Sequence, residues 1–208
     1  MAENLKTTTY RDGTAIPSGL NDDMWFNTTN GAYTILPFRG KGVTSEKEMV
    51  EAYGVLYNWY AVEDSRGLCP EGWAVPTDSQ WIELTDYVSN GFGMESPTGN
   101  QLKSTRQIDR RLQRDYITDE HPRWNSDDFN WHEGSDEFGF RALPGGMRPA
   151  PFFPTGGRVG IDGRWWTSTV VKLEYRQNHA YSRSMSYFDG GVSRNDNISK
   201  YYVINSRT

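Results

Sequence analysis

Tyr181-Ser182-Arg183-Ser184-Met185-Ser186-Tyr187, followed by Phe188 and Asp189-Gly190-Gly191, is the stretch that settles the fold class. Its larger side chains alternate with serines, which is the period of a strand with two unlike faces. Asp189-Gly190-Gly191 is a hairpin signal, because Asp and Gly accept the backbone angles of a tight turn. Moving outward, the same texture continues from Phe138 to the end. Short apolar or aromatic pieces at 138–143, 159–161, 165–171, 180–188 and 201–204 are punctuated by Gly and Pro. These predict short strands.

The earlier half reads differently. Ser45 with Glu48 three residues on is a capping box, and Met49, Tyr53, Leu56, Tyr57 and Tyr60 recur at helical spacing. Gly54 within that run costs about 1 kcal/mol against alanine. Thr77 with Gln80 opens a second helix; Trp81, Leu84 and Val88 form its apolar stripe, Tyr87 lies beside it, and Asn90-Gly91 ends it. Residues 1–44 alternate apolar pieces with the turns Arg11-Asp12-Gly13 and Pro17-Ser18-Gly19, and Tyr33-Thr34-Ile35-Leu36 predicts a short strand. Residues 100–137 form a charged excursion, with one helical turn expected at 108–112. Two helices early and strands late predict an α+β fold, not alternating βαβ units.

Composition agrees with one domain over residues 1–208. The chain has 21 Gly, 8 Trp, 12 Tyr, 9 Phe and a single Cys. Mean hydropathy is −0.76, which is low for a globule. The aromatic content of 14% offsets this, since disordered chains are poor in rings. One cysteine excludes an internal disulfide and any Cys-rich zinc site. A net charge of −5 argues against general nucleic-acid binding, and no apolar run is long enough to insert in a membrane. Met1-Ala-Glu-Asn-Leu-Lys6 has no basic and apolar regions of a signal peptide.

The chemistry-bearing residues point to binding. Asp127, Asp128, Asn130, Glu133 and Asp136 offer oxygens suited to Ca²⁺ but lack EF-hand spacing, so a solvated acidic loop is the expectation and no cofactor is called for. His121, His132 and His179 are far apart, with no metal or catalytic spacing. Cys69 lies between turn residues without a neighbour to activate it, and reads as a buried thiol. Pro144-Gly145-Gly146 precedes no helix and is a structural turn, not a phosphate loop. Trp165 and Trp166 are adjacent, so on a strand they face opposite ways; one is expected in the core, the other over a loop or at a ligand. Residues 172–205 carry a recognition palette. Trp166, Tyr175, Arg176, Asn178, His179, Tyr181, Arg183, Tyr187, Asp189, Arg194, Asn195 and Asn197 are the expected contacts. Tyr supplies contact area at small entropy cost, and Asn and Ser supply adaptable hydrogen bonds.

Six segments, in order along nearly the whole chain, carry a family resemblance. They are Met1-Ala-Glu-Asn-Leu-Lys-Thr-Thr8 with Asp12-Gly-Thr-Ala-Ile-Pro17, then Tyr53-Gly-Val-Leu-Tyr-Asn-Trp-Tyr-Ala-Val62, then Leu68-Cys-Pro-Glu-Gly-Trp-Ala-Val-Pro-Thr-Asp78. Trp81 with Leu84, Asp136-Glu-Phe-Gly-Phe-Arg-Ala-Leu-Pro-Gly-Gly146 and Trp165-Trp-Thr-Ser-Thr169 complete the set. Together they resemble the Fibrobacter succinogenes major paralogous domain family. The resemblance implies a C-type lectin-like or formylglycine-generating-enzyme-like fold, with two helices on a compact twisted antiparallel sheet and a long loop. It implies an extracellular domain of Bacteroidetes, related gut bacteria or their phages, and it transfers no catalytic residue.

The chain departs from the family in three places. Members usually carry a strand before Ala2-Glu-Asn-Leu5. They commonly end in a strand with a cysteine where Ser206 stands, so the resemblance implies that Cys69 has lost its bridge partner. The glutamate-proline-asparagine sugar motif of true C-type lectins is absent.

The expected function is a non-enzymatic receptor-binding domain on a bacterial surface or phage virion. Its partner would be a cell-surface polysaccharide or protein, bound by the late strands at about 165–205. The late palette also resembles the variable proteins of diversity-generating retroelements. A structural virion or fibre component in contact with other virion proteins is the alternative. An enzyme of formylglycine-generating type is disfavoured by the lone proline-flanked Cys69. Trp59, Trp73 and Trp81, in motifs and helix stripes, are expected in the core.

Overall fold

The computed structural model describes residues 3–37, 43–91, 97–105, 121–125, 132–148 and 157–207. Among them the fold is α+β, with five α-helices and two antiparallel sheets. The expected helical turn at 108–112 lies outside the described residues.

Helix α1 spans Asp22–Asn27 and is capped by Asn21, whose side chain accepts from the Met24 amide. Helix α2 spans Glu46–Tyr53 with Ser45 as N-cap. Ser45 accepts from the Glu48 amide as expected, but the Glu48 carboxylate reaches the amide and hydroxyl of Thr44.

The expectation of one helix from Ser45 through Tyr60 is corrected. The helix stops at Gly54, with φ of +75°. A Cβ there would come within 2.6 Å of the Leu5 carbonyl oxygen. The N-terminal segment therefore packs against the glycine, and Val55 donates its amide to Leu5. Strand β2, Leu56–Tyr57, and helix α3, Trp59–Glu63, follow instead. Asn58 starts α3 by accepting from the Ala61 amide.

Helix α4, Asp78–Gly91, matches the second predicted helix, and its capping box is reciprocal. Gln80 donates its amide to Thr77 at 3.2 Å, and Thr77 donates its own to Gln80 at 2.8 Å. Helix α5, Thr98–Leu102, lies over the start of strand β6, Asp189–Ser199. Only a glycine fits at position 99, since a Cβ would lie 2.3 Å from the Gly191 oxygen.

One sheet has the order β1-β2-β7-β3, with β1 Tyr33–Thr34, β3 Met147–Arg148 and β7 Val203–Ile204. The other has the order β4-β5-β6, with β4 Asp162–Val170 and β5 His179–Ser186. A parallel bridge from Trp165 to Asn205 joins the two sheets. The predicted hairpin is present, but Ser186 pairs with Asp189, so its turn is Tyr187-Phe188 and not Asp189-Gly190-Gly191. The pieces at 138–143 and 159–161 form turns and a single bridge at Ala142, not strands.

The tryptophans explain how the three-stranded sheet is held. Trp165 and Trp166 are both fully buried in the core, so the expectation that one of them would lie over a loop or at a ligand is corrected. Their opposite faces are both covered. Trp165 and Met185 pack with Trp81 of α4 and Leu102 of α5. Trp166 and Ala180 pack with Trp59, Met147 and Ile204. Each indole N–H is also used: Trp165 donates to Asn4 Oδ1 at 2.8 Å, and Trp166 to the Tyr57 carbonyl at 2.9 Å. Trp73, expected in the core, is 45% exposed; it sits in a turn after Pro70.

Candidate recognition surface

The outer part of the sheet is fixed to α4 by a buried ionic cluster. Asp78, the first residue of α4, accepts from Arg183 Nη1 at 2.6 Å and from Arg194 Nη2 at 2.8 Å. Arg183 also donates to the Asp78 carbonyl. Burial on its own would raise the Asp78 pKa, but hydrogen bonds and charge from Arg194 and Arg183 outweigh it and hold the carboxyl below its usual value. Arg183 and Arg194 are direct cross-strand partners, and like charges so placed repel unless an anion lies between them. Asp78 is that anion.

Twelve residues were expected at a ligand, and the structure separates them. Trp166 and Arg183 are buried, one in the core and one in the ionic cluster, so neither is a surface contact. Tyr187 and Asp189 lie at the hairpin tip, where the Asp189 carboxylate accepts from the Gly191 amide and its carbonyl from Lys103 Nζ. Tyr181, on the central strand β5, and Tyr187, just past its end, are six residues apart, about 20 Å at ~3.3 Å per residue, too far to share a small ligand. Asn195 turns back to donate to Ser184 Oγ at 3.1 Å.

The remainder gather at the other end of the sheet. Tyr175, on the 3-10 turn Glu174–Arg176, is 77% exposed. Arg176 lies 5.6 Å from that ring and pairs with Asp196 at 2.5 Å. His179 meets Ser199 at 3.3 Å, and Arg194 stacks on Tyr181 at 4.1 Å. The ladder shifts register between Ala180 and Ser182, opposite Asp196 and exposed Asn197. Asn178 accepts from the Lys200 amide, and this bond carries the surface into residues the palette did not include.

Those residues are aromatic. Lys200 Nζ lies 4.3 Å from the Trp59 ring and 5.9 Å from Tyr60, with Glu63 at 3.7 Å. Tyr201 and Tyr202 stack with centroids 5.5 Å apart, and Phe26 of α1 closes on Tyr201 at 5.1 Å. Partial burial, with the charges of Glu63 and Tyr201, raises the Tyr60 pKa. Phe26, Tyr60, Tyr201 and Tyr202 are all half-buried. Sequence reading placed Tyr201 and Tyr202 inside the expected 165–205 binding region without naming them as contacts, and it missed Phe26 and Tyr60, which α1 and α3 bring beside them only in the folded chain.

Other candidates are accounted for as follows. Cys69 is buried and free, and burial pushes its thiol up to about 11. We expect it to resist a neutral thiol reagent in the native protein and to react fully in denaturant; fast native labelling at pH 7 would contradict this placement. His121 Nδ1 meets the Tyr53 hydroxyl at 2.6 Å. Of the acidic loop, Asp127, Asp128 and Asn130 lie outside the described residues, and Asp136 accepts from the Arg141 amide at 2.6 Å. Among the described residues no group of three His, Cys, Asp or Glu could hold a metal ion, and no helix is long and apolar enough to cross a membrane.

Comparison with known proteins gives one match. The family model for the Fibrobacter succinogenes major domain covers residues 1–204. No curated protein and no solved structure matches the chain.

Proposed function

The chain belongs to the Fibrobacter succinogenes major domain family, and from that starting point we propose that it is a non-enzymatic recognition domain for a cell-surface polysaccharide. The fold is assigned to the C-type lectin-like class in this reading, and the domain is displayed on a bacterial surface or a phage particle. The observation that carries the reading is the group of half-buried rings Phe26, Tyr201, Tyr202 and Tyr60 beside Lys200, whose amide meets Asn178, with the exposed Tyr175 three residues before Asn178. Half-exposed rings offer flat apolar faces on which a sugar ring can lie. Asn178, Asn197, Arg176 and Lys200 stand beside them to orient hydroxyls.

The base under these rings is stiff. Trp166, fully buried, packs with Trp59 of α3 and Ile204 of β7, so the elements that carry Tyr60, Tyr201 and Tyr202 rest on the core and little ordering is left to the moment of binding.

A glycan array, followed by titration of the best glycan, tests this. Tyr175→Ala and Tyr201→Ala should each weaken binding about tenfold or more, equivalent to ~1.4 kcal/mol. Phe188→Ala, at the hairpin tip, should leave it unchanged. The reverse pattern would move the site to the tip. An array on which no glycan is retained would overturn the polysaccharide reading.

A further inference from the structure

On a part of the molecule that shares no residue with the aromatic group lies a cleft of about 340 Å³. Room of that order holds about ten waters at ~30 Å³ each, or one small polar molecule. The cleft is formed where the N-terminal segment (Glu3, Asn4, Lys6) meets the end of α2 (Glu51), Ser104-Thr105 and the turn from Asp136 to Arg141.

Its charged groups are not equally committed. Glu3 is held by Lys6 at 2.6 Å, and Asp136 by the Arg141 amide. Asn4 spends both ends of its amide within the fold, on Tyr53 and Trp165. The Arg141 guanidinium differs. It is 67% exposed and touches Asp136 only through Nε at 3.5 Å, and its two terminal nitrogens make no hydrogen bond among the described residues. Its backbone sits at φ of +51° in the turn that begins at Asp136, whose carboxylate accepts the Arg141 amide. The buried Ser104 hydroxyl in the wall is also without a partner among the described residues.

We propose that this cleft is a second binding site, for a small carboxylate-bearing polar molecule such as a uronic acid unit or an amino acid. Arg141 receives the carboxylate with its planar fork, the geometry that suits a carboxylate twice over. Thr105 and Glu51 face the ligand's hydroxyl or amino groups. Glu3 and Lys6 close the opposite side as a neutral pair and add no net repulsion.

Amide-resolved NMR titration with sodium glucuronate, sodium glutamate and glucose tests the proposal. Either carboxylate should shift amides at residues 3–6, 104–105 and 136–143, and glucose should not. Glucuronate alone identifies a sugar acid as the ligand class, glutamate alone an amino acid. Arg141→Gln should weaken binding about tenfold or more, and Arg141→Lys less, because lysine keeps the charge but not the fork. Thr105→Ala, at an exposed side chain with no hydrogen bond among the described residues, should weaken binding severalfold with an unchanged spectrum elsewhere. Equal shifts with glucose, no shifts with either carboxylate, or unaltered affinity in Arg141→Gln with a native spectrum would each overturn it.

Discussion

Replacing Asp78 with alanine is expected to remove about 3–5 kcal/mol of stability, because two arginines would be left facing each other without their anion. Arg183 would suffer most, being 2% exposed with no route to water. Arg194, 46% exposed, can rehydrate. Arg194→Ala is therefore expected to cost about 1 kcal/mol or less. The pH dependence follows from the lowered Asp78 pKa. An acid depressed in the folded state binds fewer protons there than when unfolded, so its contribution is present above the unfolded value near ~3.9 and is lost as pH falls through the folded one. Urea unfolding of both proteins at pH 7 and near pH 3 measures it. The gap between wild type and Asp78→Ala should narrow in acid, and a gap that widens would count against the cluster as described.

The second large effect is expected at Trp165. Truncation to alanine should cost about 3–5 kcal/mol, the range for removing a large buried aromatic. The ring stacks on Trp81 at 6.0 Å and is wholly enclosed, and its loss would also strip Asn4 Oδ1 of its donor. Trp165→Phe keeps an aromatic ring but not the N–H, and should fall between the two. Chemical denaturation reports both values, and a cost below ~1 kcal/mol for the alanine variant would mean that the ring does not bridge sheet and helix.

Much of this arrangement was legible in the chain. The α4 capping box was readable because Thr77 and Gln80 act on each other over three residues, and the strand at 179–186 because its alternation is local. The run from Met49 to Tyr60 reads as one helix but is two, separated by β2. Its apolar spacing fits, but Leu5, distant in sequence, occupies the space beside Gly54 and ends the helix there. Strand β6 was implied by the hairpin signal but not by its own residues, since Ser193-Arg-Asn-Asp-Asn197 has poor strand formers and is held by pairing with β5.

The recognition palette is divided by the fold for a related reason. Composition marks which side chains suit contact, but it cannot distinguish Arg183, turned inward to Asp78, from Arg176, turned outward to Tyr175. Nor could it find Phe26 and Tyr60, whose place beside Tyr201 exists only in three dimensions.

Strand β7, at Val203–Ile204, lies inside its sheet between β2 and β3, and the Ser206 carbonyl accepts from the Leu5 amide. This placement sets the order of assembly during synthesis. At ~5–20 residues per second, a ribosome takes tens of seconds to reach these positions. Until they emerge, β2 and β3 have no strand between them, and the Leu5 amide lacks its partner although its carbonyl can already meet Val55. Local units such as α4 and the β5–β6 hairpin can form early, but the β1-β2-β7-β3 sheet closes only after residues 203–206 have been made.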